Sequence, residues 1–316
     1  MSILNRPTLT DTFETLDSFV PDPDSAYVFG LSGEERSAHS ESWEARAVKV
    51  QFVRVSQERD EEFDAEIDNE KCTVHLRSQK ELAGFWRKIG KRRAYLDITG
   101  LDHKVWAPLI RSALNLGIHL LVVYVEPGDY KFNASPREGD IFDLSARISG
   151  ISPLPGFASL GEMDEKDVYF IPLLGFEGIR FKHVVEQIQP DDSRILPIIG
   201  VPGFRPEYPF FTYDGNRPVI EETSAWSRVR YARANCPFNL FYVLDDIAAA
   251  HPWATLKIAL IGTKPHAVGA VLYALLGGRS VELIYDHPIR KAERTAGSSR
   301  ALVYNVWALS LSTAHT

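Results

Sequence analysis

The chain has 316 residues, 45% hydrophobic, 24% charged and 11% aromatic, which supplies a large core and fits two domains or one large one. Its formal net charge of −7 argues against a dedicated binder of long nucleic acid or of an anionic membrane, both of which reward clustered Lys and Arg. Two cysteines, Cys72 and Cys236, are too few for a disulfide scaffold or a Cys-rich zinc site and favour a reducing, cytoplasmic setting.

Residues 1–21 are polar and acidic, without the basic start and apolar core of a signal peptide, and no later apolar run has the length of a membrane span. Residues 26–30 are an apolar run that breaks at Gly30 and Gly33, enters a polar helix start at Glu34, Glu35 and Arg36, and is followed by strand-like residues 48–55. The acidic run 58–64 reads as a solvated loop. Leu82, Phe85, Trp86 and Ile89 stand at helical spacing within 78–90, a stripe that belongs in a core. Next comes a glycine turn at Gly100, with Asp102 and His103 opening a helix, and the strand-like residues 120–125. The Gly/Pro-rich segment 150–156 marks a boundary between halves 1–150 and 151–316.

The second half repeats the order. Residues 168–175 end at Gly175 and enter a helix start holding Glu177 and Arg180; 194–200 form the next apolar run. The proline-punctuated stretch 202–211 is too rich in Pro for a central strand and reads as a stiff connection, with helices expected over 221–234 and 238–250. Residues 260–272 then carry Gly262, Thr263, Lys264, Pro265 and His266, and the strand 281–285 ends in Asp286 and His287. Gly100 matches Gly262, and His103, Val105, Ala107 and Leu109 match His266, Val268, Ala270 and Leu272, with one extra residue before the second histidine. Basic residues in 289–300 read as a solvated loop or as cations over an anionic ligand. Short apolar runs alternating with helical segments are the mark of parallel strands covered on both faces, so the expected fold is α/β, two tandem doubly wound Rossmann-like halves related by internal duplication.

Ligands of such sheets bind beyond the carboxyl ends of the strands. Gly262 permits close backbone approach, Thr263 offers a hydroxyl and Lys264 brings a cation to a helix start, a set that suits a phosphate; the spacing is neither a Walker A motif nor a dinucleotide fingerprint, and one glycine is common in α/β turns. Gly100 and His103 hold the equivalent places in the first half. An N-terminal position on a helix disfavours imidazolium, so His103 and His266 read as neutral hydrogen-bonding groups. Arg36 and Arg180 are candidates for a phosphate or planar base, with the alternative that each pairs with the glutamate beside it. His266, Asp286 and Glu177 are the candidate acid/base groups if the chain is an enzyme; no metal is expected, because no ligand spacing such as HExxH or CxxC is present. No cofactor is identified.

The paired halves and the Gly262-Thr263-Lys264-Pro265 turn resemble the CARF and SAVED families of Rossmann-like nucleotide sensors of bacterial defence systems. The resemblance covers the architecture of most of the chain and one short motif. It implies that two such halves clasp a small anionic nucleotide, a cyclic oligonucleotide among the options, through Thr263, Lys264, Gly100, His103, Arg36 and Arg180. The chain departs from the usual sensors in showing no nuclease, protease or membrane effector segment, so output would come from an effector partner or from the halves themselves. Two other readings stay open: an enzyme acting on a nucleotide or sugar phosphate in the crevice between the halves, and a structural subunit of a larger complex.

Overall fold

The computed structural model describes residues 9–38, 40–137, 140–158, 168–291 and 294–313. They form two compact units, a flanking unit of Arg6–Tyr130 with Thr295–Thr316 and a central unit of Lys131–Arg294. The sequence reading has a single crossing near residue 150, whereas the chain leaves the flanking unit at Tyr130 and returns at Thr295. The Gly/Pro-rich 150–156 segment lies inside the central unit, where Ser152–Pro153 is an edge strand.

The flanking unit contains β1 (Thr10–Phe13), β2 (Ala26–Gly30), α1 (Ser40–Arg46), β3 (Gln51–Glu58), β4 (Glu62–Ile67), β5 (Glu70–His75), α2 (Gln79–Ile89), β6 (Arg93–Asp97), α3 (His103–Asn115) and β7 (His119–Tyr130). The returning chain adds β18 (Thr295–Asn305) and α8 (Val306–Thr313). One sheet runs in the order β1-β18-β7-β6-β2-β3-β4-β5, parallel from β7 to β3. The acidic run 58–64 is therefore not a loop: it closes the β3–β4 hairpin, with Arg59 paired to Glu62 and Asp64 across the turn. Of the basic residues in 289–300, Arg290 ends β17 and Arg300 lies in β18, which fills the place between β1 and β7. Helix α2 is built as the stripe requires. The Ser78 hydroxyl accepts from the Glu81 amide at 3.3 Å, Gly90 ends the helix at φ 71°, and Leu82, Phe85, Trp86 and Ile89 are buried.

The central unit contains β8 (Phe132–Arg137), β9 (Asp140–Phe142), β10 (Ser145–Ile148), β11 (Ser152–Pro153), β12 (Val168–Pro172), α4 (Gly178–Ile188), β13 (Ile198–Gly200), α5 (Tyr208–Glu222), β14 (Arg230–Ala232), α6 (Pro237–Ala250), β15 (Thr255–Ala259), α7 (Lys264–Leu276), β16 (Val281–Tyr285) and β17 (Pro288–Arg290). Its sheet runs β11-β16-β15-β12 and continues to the β13–β14 pair through the bridges Phe170 to Ile195 and Leu173 to Ile198. Helix α5 begins inside the proline-punctuated stretch, because Pro209 sits in its first turn where no amide is needed; residues 221–234 are the end of α5, a short turn and β14 rather than a helix.

The duplication is visible in strand order. Four strands of each unit lie as β3-β2-β6-β7 in the flanking unit and β13-β12-β15-β16 in the central one, all parallel. Both units are α/β sheets whose order reverses between the first and third strand of the repeat. In the central unit α4 and α5 cover one face, burying Phe181, Val184, Val219 and Ile220 against Phe170, Ile199, Ala259 and Ile284, while α6 packs on α7. The repeat is not uniform: β4, β5 and α2 occupy the interval filled by α5, β14 and α6 in the central unit.

Candidate functional site

At the reversal point of each sheet, the turn after the third strand presses on the end of the first. A Cβ on Gly100 would stand 1.8 Å from the Gly30 carbonyl oxygen, and one on Gly262 would stand 2.9 Å from that of Leu173. The glycines that mark the repeat therefore serve backbone-to-backbone contact. They close the gap in which a doubly wound sheet ordinarily begins its ligand crevice.

The two arginines play matching parts. In the flanking unit Arg36 is buried, donates from Nε to Glu34 at 2.6 Å, and reaches the middle of β7 at the Tyr124 hydroxyl (3.1 Å) and the Val125 carbonyl (2.9 Å). In the central unit Arg180 reaches the end of β16, where Nε and Nη2 donate to both oxygens of Asp286 at 2.7 and 2.6 Å and Nη1 to the Ile261 carbonyl. Burial opposes both charges, yet both guanidinium pKa values are raised, by Tyr124 and Glu34 for Arg36 and by hydrogen bonding and the field of Asp286 for Arg180.

Around the start of α7 the polar groups are turned to the neighbouring chain. Thr263 caps the helix, accepting from the His266 amide and donating to the Ala234 carbonyl at 2.7 Å. His266 is fully buried, bonds the Arg233 carbonyl through Nε2 at 3.0 Å, and has its pKa lowered to about 4, above all by burial; it is the neutral imidazole expected of a helix start. Lys264 lies buried in the same turn. His103 is buried beside Trp106 on α3, with ring centroids 5.0 Å apart. Thus Gly262, Glu177, Arg180 and Asp286 gather at the strand ends of the central unit, Thr263 and His266 tie α7 to the segment after β14, and Gly100, His103 and Arg36 belong to the flanking unit.

An open cavity of about 440 Å³ lies at the start of α4, between it, α5 and the β9–β10 segment. Phe142, Asp143, Ser145, Glu177, Lys182 and Pro218 are among the residues that line it. Glu177 holds one wall in place: its carboxylate accepts from the Leu144 and Ser145 amides at 3.0 and 2.8 Å and from the Ser145 hydroxyl at 2.7 Å. Asn216, fully buried on α5, fastens the turn before α4 by donating to the Gly175 carbonyl at 2.7 Å. Lys182 and Asp143 supply charges at the mouth; Lys182 is half exposed with Glu186 at 3.8 Å, and Asp143 pairs with Lys291.

No protein-family model and no curated protein matches the chain. Among solved structures, one match is the crystal structure of an ABC transporter solute-binding protein from Burkholderia multivorans, with 11% identity over 83% of this chain and 79% of that one at a TM-score of 0.21. The α/β assignment rests on the strand order described above.

Asn216, Ser145, Lys182 and Phe142 escape a reading of the sequence. They stand in no motif, and only the packing of the β9–β10 segment and α5 around α4 brings them together. Among the described residues, no group of three or more His, Cys, Asp or Glu is placed to hold a metal ion, and no helix is long and apolar enough to cross a membrane.

Proposed function

We propose that the chain binds a small anionic, nucleotide-like ligand, and that the central unit takes it in the cavity at the start of α4. The observation that carries this reading is the lining of that cavity: its volume falls in the range of small-molecule sites, and the start of α4, α5 and the β9–β10 segment bring a cation, a carboxylate and a hydroxyl to one concave wall. Lys182 is the cation for a phosphate, while Ser145 and Asp143 are partners for sugar or base hydrogen-bonding groups. Glu177 acts as a positioning residue that fixes the Leu144–Ser145 wall.

The acid/base groups an enzyme would need are engaged elsewhere. Asp286 is locked on Arg180, and His266 is enclosed with its Nε2 on a backbone carbonyl. Binding is therefore favoured over turnover. The resemblance to CARF and SAVED domains extends the proposal to sensing: the ligand is a signal nucleotide, cyclic oligonucleotides included, and the response passes to an effector protein in bacterial antiviral defence. Copurification of the chain with the products of neighbouring genes, with and without nucleotide, tests that extension.

Calorimetry of the full chain against mono-, di- and cyclic nucleotides tests the binding itself. Lys182→Ala is expected to weaken binding about tenfold, the weight of one charge-assisted hydrogen bond of roughly 1.5 kcal/mol. Absence of binding by the unaltered chain, or equal binding by Lys182→Ala, overturns the proposal.

A further inference from the structure

Many aromatic pairs in this chain meet edge-on or tilted. In the central unit three phenylalanine rings instead form a stacked series. Phe132 at the start of β8 and Phe142 at the end of β9 are cross-strand partners, stacked with centroids 5.0 Å apart and planes 21° apart. Phe142 stacks in turn on Phe176, in the turn before α4, at 4.4 Å and 20°. Phe211 meets Phe132 and Phe142 edge-on at 6.2 and 5.4 Å, and Tyr208 does the same to Phe176 at 5.1 Å, so the column is held from the side by the first turn of α5. Its middle ring is 3% exposed and its end ring, Phe132, is 57% exposed.

Two features of this column point to a planar ligand of mixed polarity. A rigid stack that ends in an open ring face has room for one more flat ring in the same series. The middle ring also belongs to the wall of the polar cavity, directly before Asp143 and close to Ser145 and Lys182, so a flat surface and hydrogen-bonding groups lie on one short segment. Every nucleobase has a face that stacks on a phenyl ring.

We infer that Phe132, Phe142 and Phe176 form a stacking platform for the base of the ligand, with the base on the open face of Phe132. This inference rests on the nucleotide-binding reading and adds the moiety recognised: a base, with purines held more tightly than pyrimidines because their stacking face is larger.

The test measures binding of adenosine monophosphate and of ribose 5-phosphate to the full chain and to Phe132→Ala, Phe132→Trp and Lys182→Ala. Adenosine monophosphate is expected to bind more tightly than ribose 5-phosphate. Phe132→Ala should lose about fivefold or more in affinity for the nucleotide while leaving ribose 5-phosphate unchanged. Phe132→Trp should restore the affinity and show indole quenching on binding. Equal binding of the two compounds, or unchanged nucleotide binding in Phe132→Ala alongside a loss in Lys182→Ala, overturns the platform and leaves the nucleotide reading standing. Failure of both compounds and of the wider nucleotide panel overturns both. Reduced self-association of Phe132→Ala with unaltered nucleotide binding assigns the ring to a second copy of the chain and also overturns the platform.

Discussion

Arg36 and Arg180 show how one residue type at one place in a repeat can be read correctly in position and only partly in role. Both follow the first strand of their unit, and both are candidates from the sequence because an arginine beside a glutamate at a helix start suits either an anion or an ion pair. Each runs to the unit's fourth strand, where Arg36 meets Tyr124 and Val125 in its middle and Arg180 meets Asp286 just past its end. No local pattern announces that partner, which is more than 80 residues away. His266 is the neutral group its place at a helix start leads one to expect, but the cause is its enclosure. With its pKa lowered to about 4 by burial, His266 binds fewer protons in the folded chain than in the unfolded chain, where the ordinary value near 6.5 applies. Folding stability therefore rises with pH between about 4 and 6.5 and is lost as pH falls through that window, by about 3 kcal/mol from this group when protonation is complete. Denaturant titrations of His266→Phe across pH 4–7 should show a shallower acid loss than the unaltered chain, and parallel curves would contradict the assignment.

At the scale of elements, helices with local caps and stops are legible, whereas α5 and the strands at the sheet margins are not. The α2 stripe, its Ser78 cap and its Gly90 stop are all local, so the sequence carries them in full. The acidic run 58–64 reads as a solvated loop because antiparallel hairpins near a sheet margin carry charged residues that resemble loop composition, and the start of β18 does so because Gly297, Ser298 and Ser299 are turn-like residues. Glycine turns fall between these cases. Gly100 and Gly262 stand out in the sequence as the repeated punctuation of a strand-to-helix turn, but the reason for them is a contact with another strand end. Gly100→Ala places a methyl group 1.8 Å from the Gly30 oxygen, so the turn into α3 must move, at a cost of about 3 kcal/mol or more. Gly84 on α2 has open space around its Cβ position and serves as the control: Gly84→Ala should be neutral or stabilising by about 0.5–1 kcal/mol. Thermal or chemical unfolding of the two variants checks the contrast, and similar stability of both would refute the close-contact explanation.

For the whole molecule, the two crossings of the chain matter more than the position of any single boundary. Because β18 lies between β1 and β7, the flanking unit is incomplete without residues that follow the central unit. A chain ending at Arg294 should therefore lose cooperative unfolding of the flanking sheet, with hydrogen exchange spreading along β1 and β7. Residues 131–294 alone should still fold, since their sheet and helices close on themselves. Full protection of β7 in the shortened chain would contradict this. The sequence by itself determined the α/β class, the repeated order of its units and the glycine turns, because apolar period, turn chemistry and capping act over a few residues. Only the tertiary structure decided where the chain crosses between units, which candidate side chains are enclosed, and that the open cavity belongs to the start of α4, because these depend on pairings and packing between segments far apart in the chain.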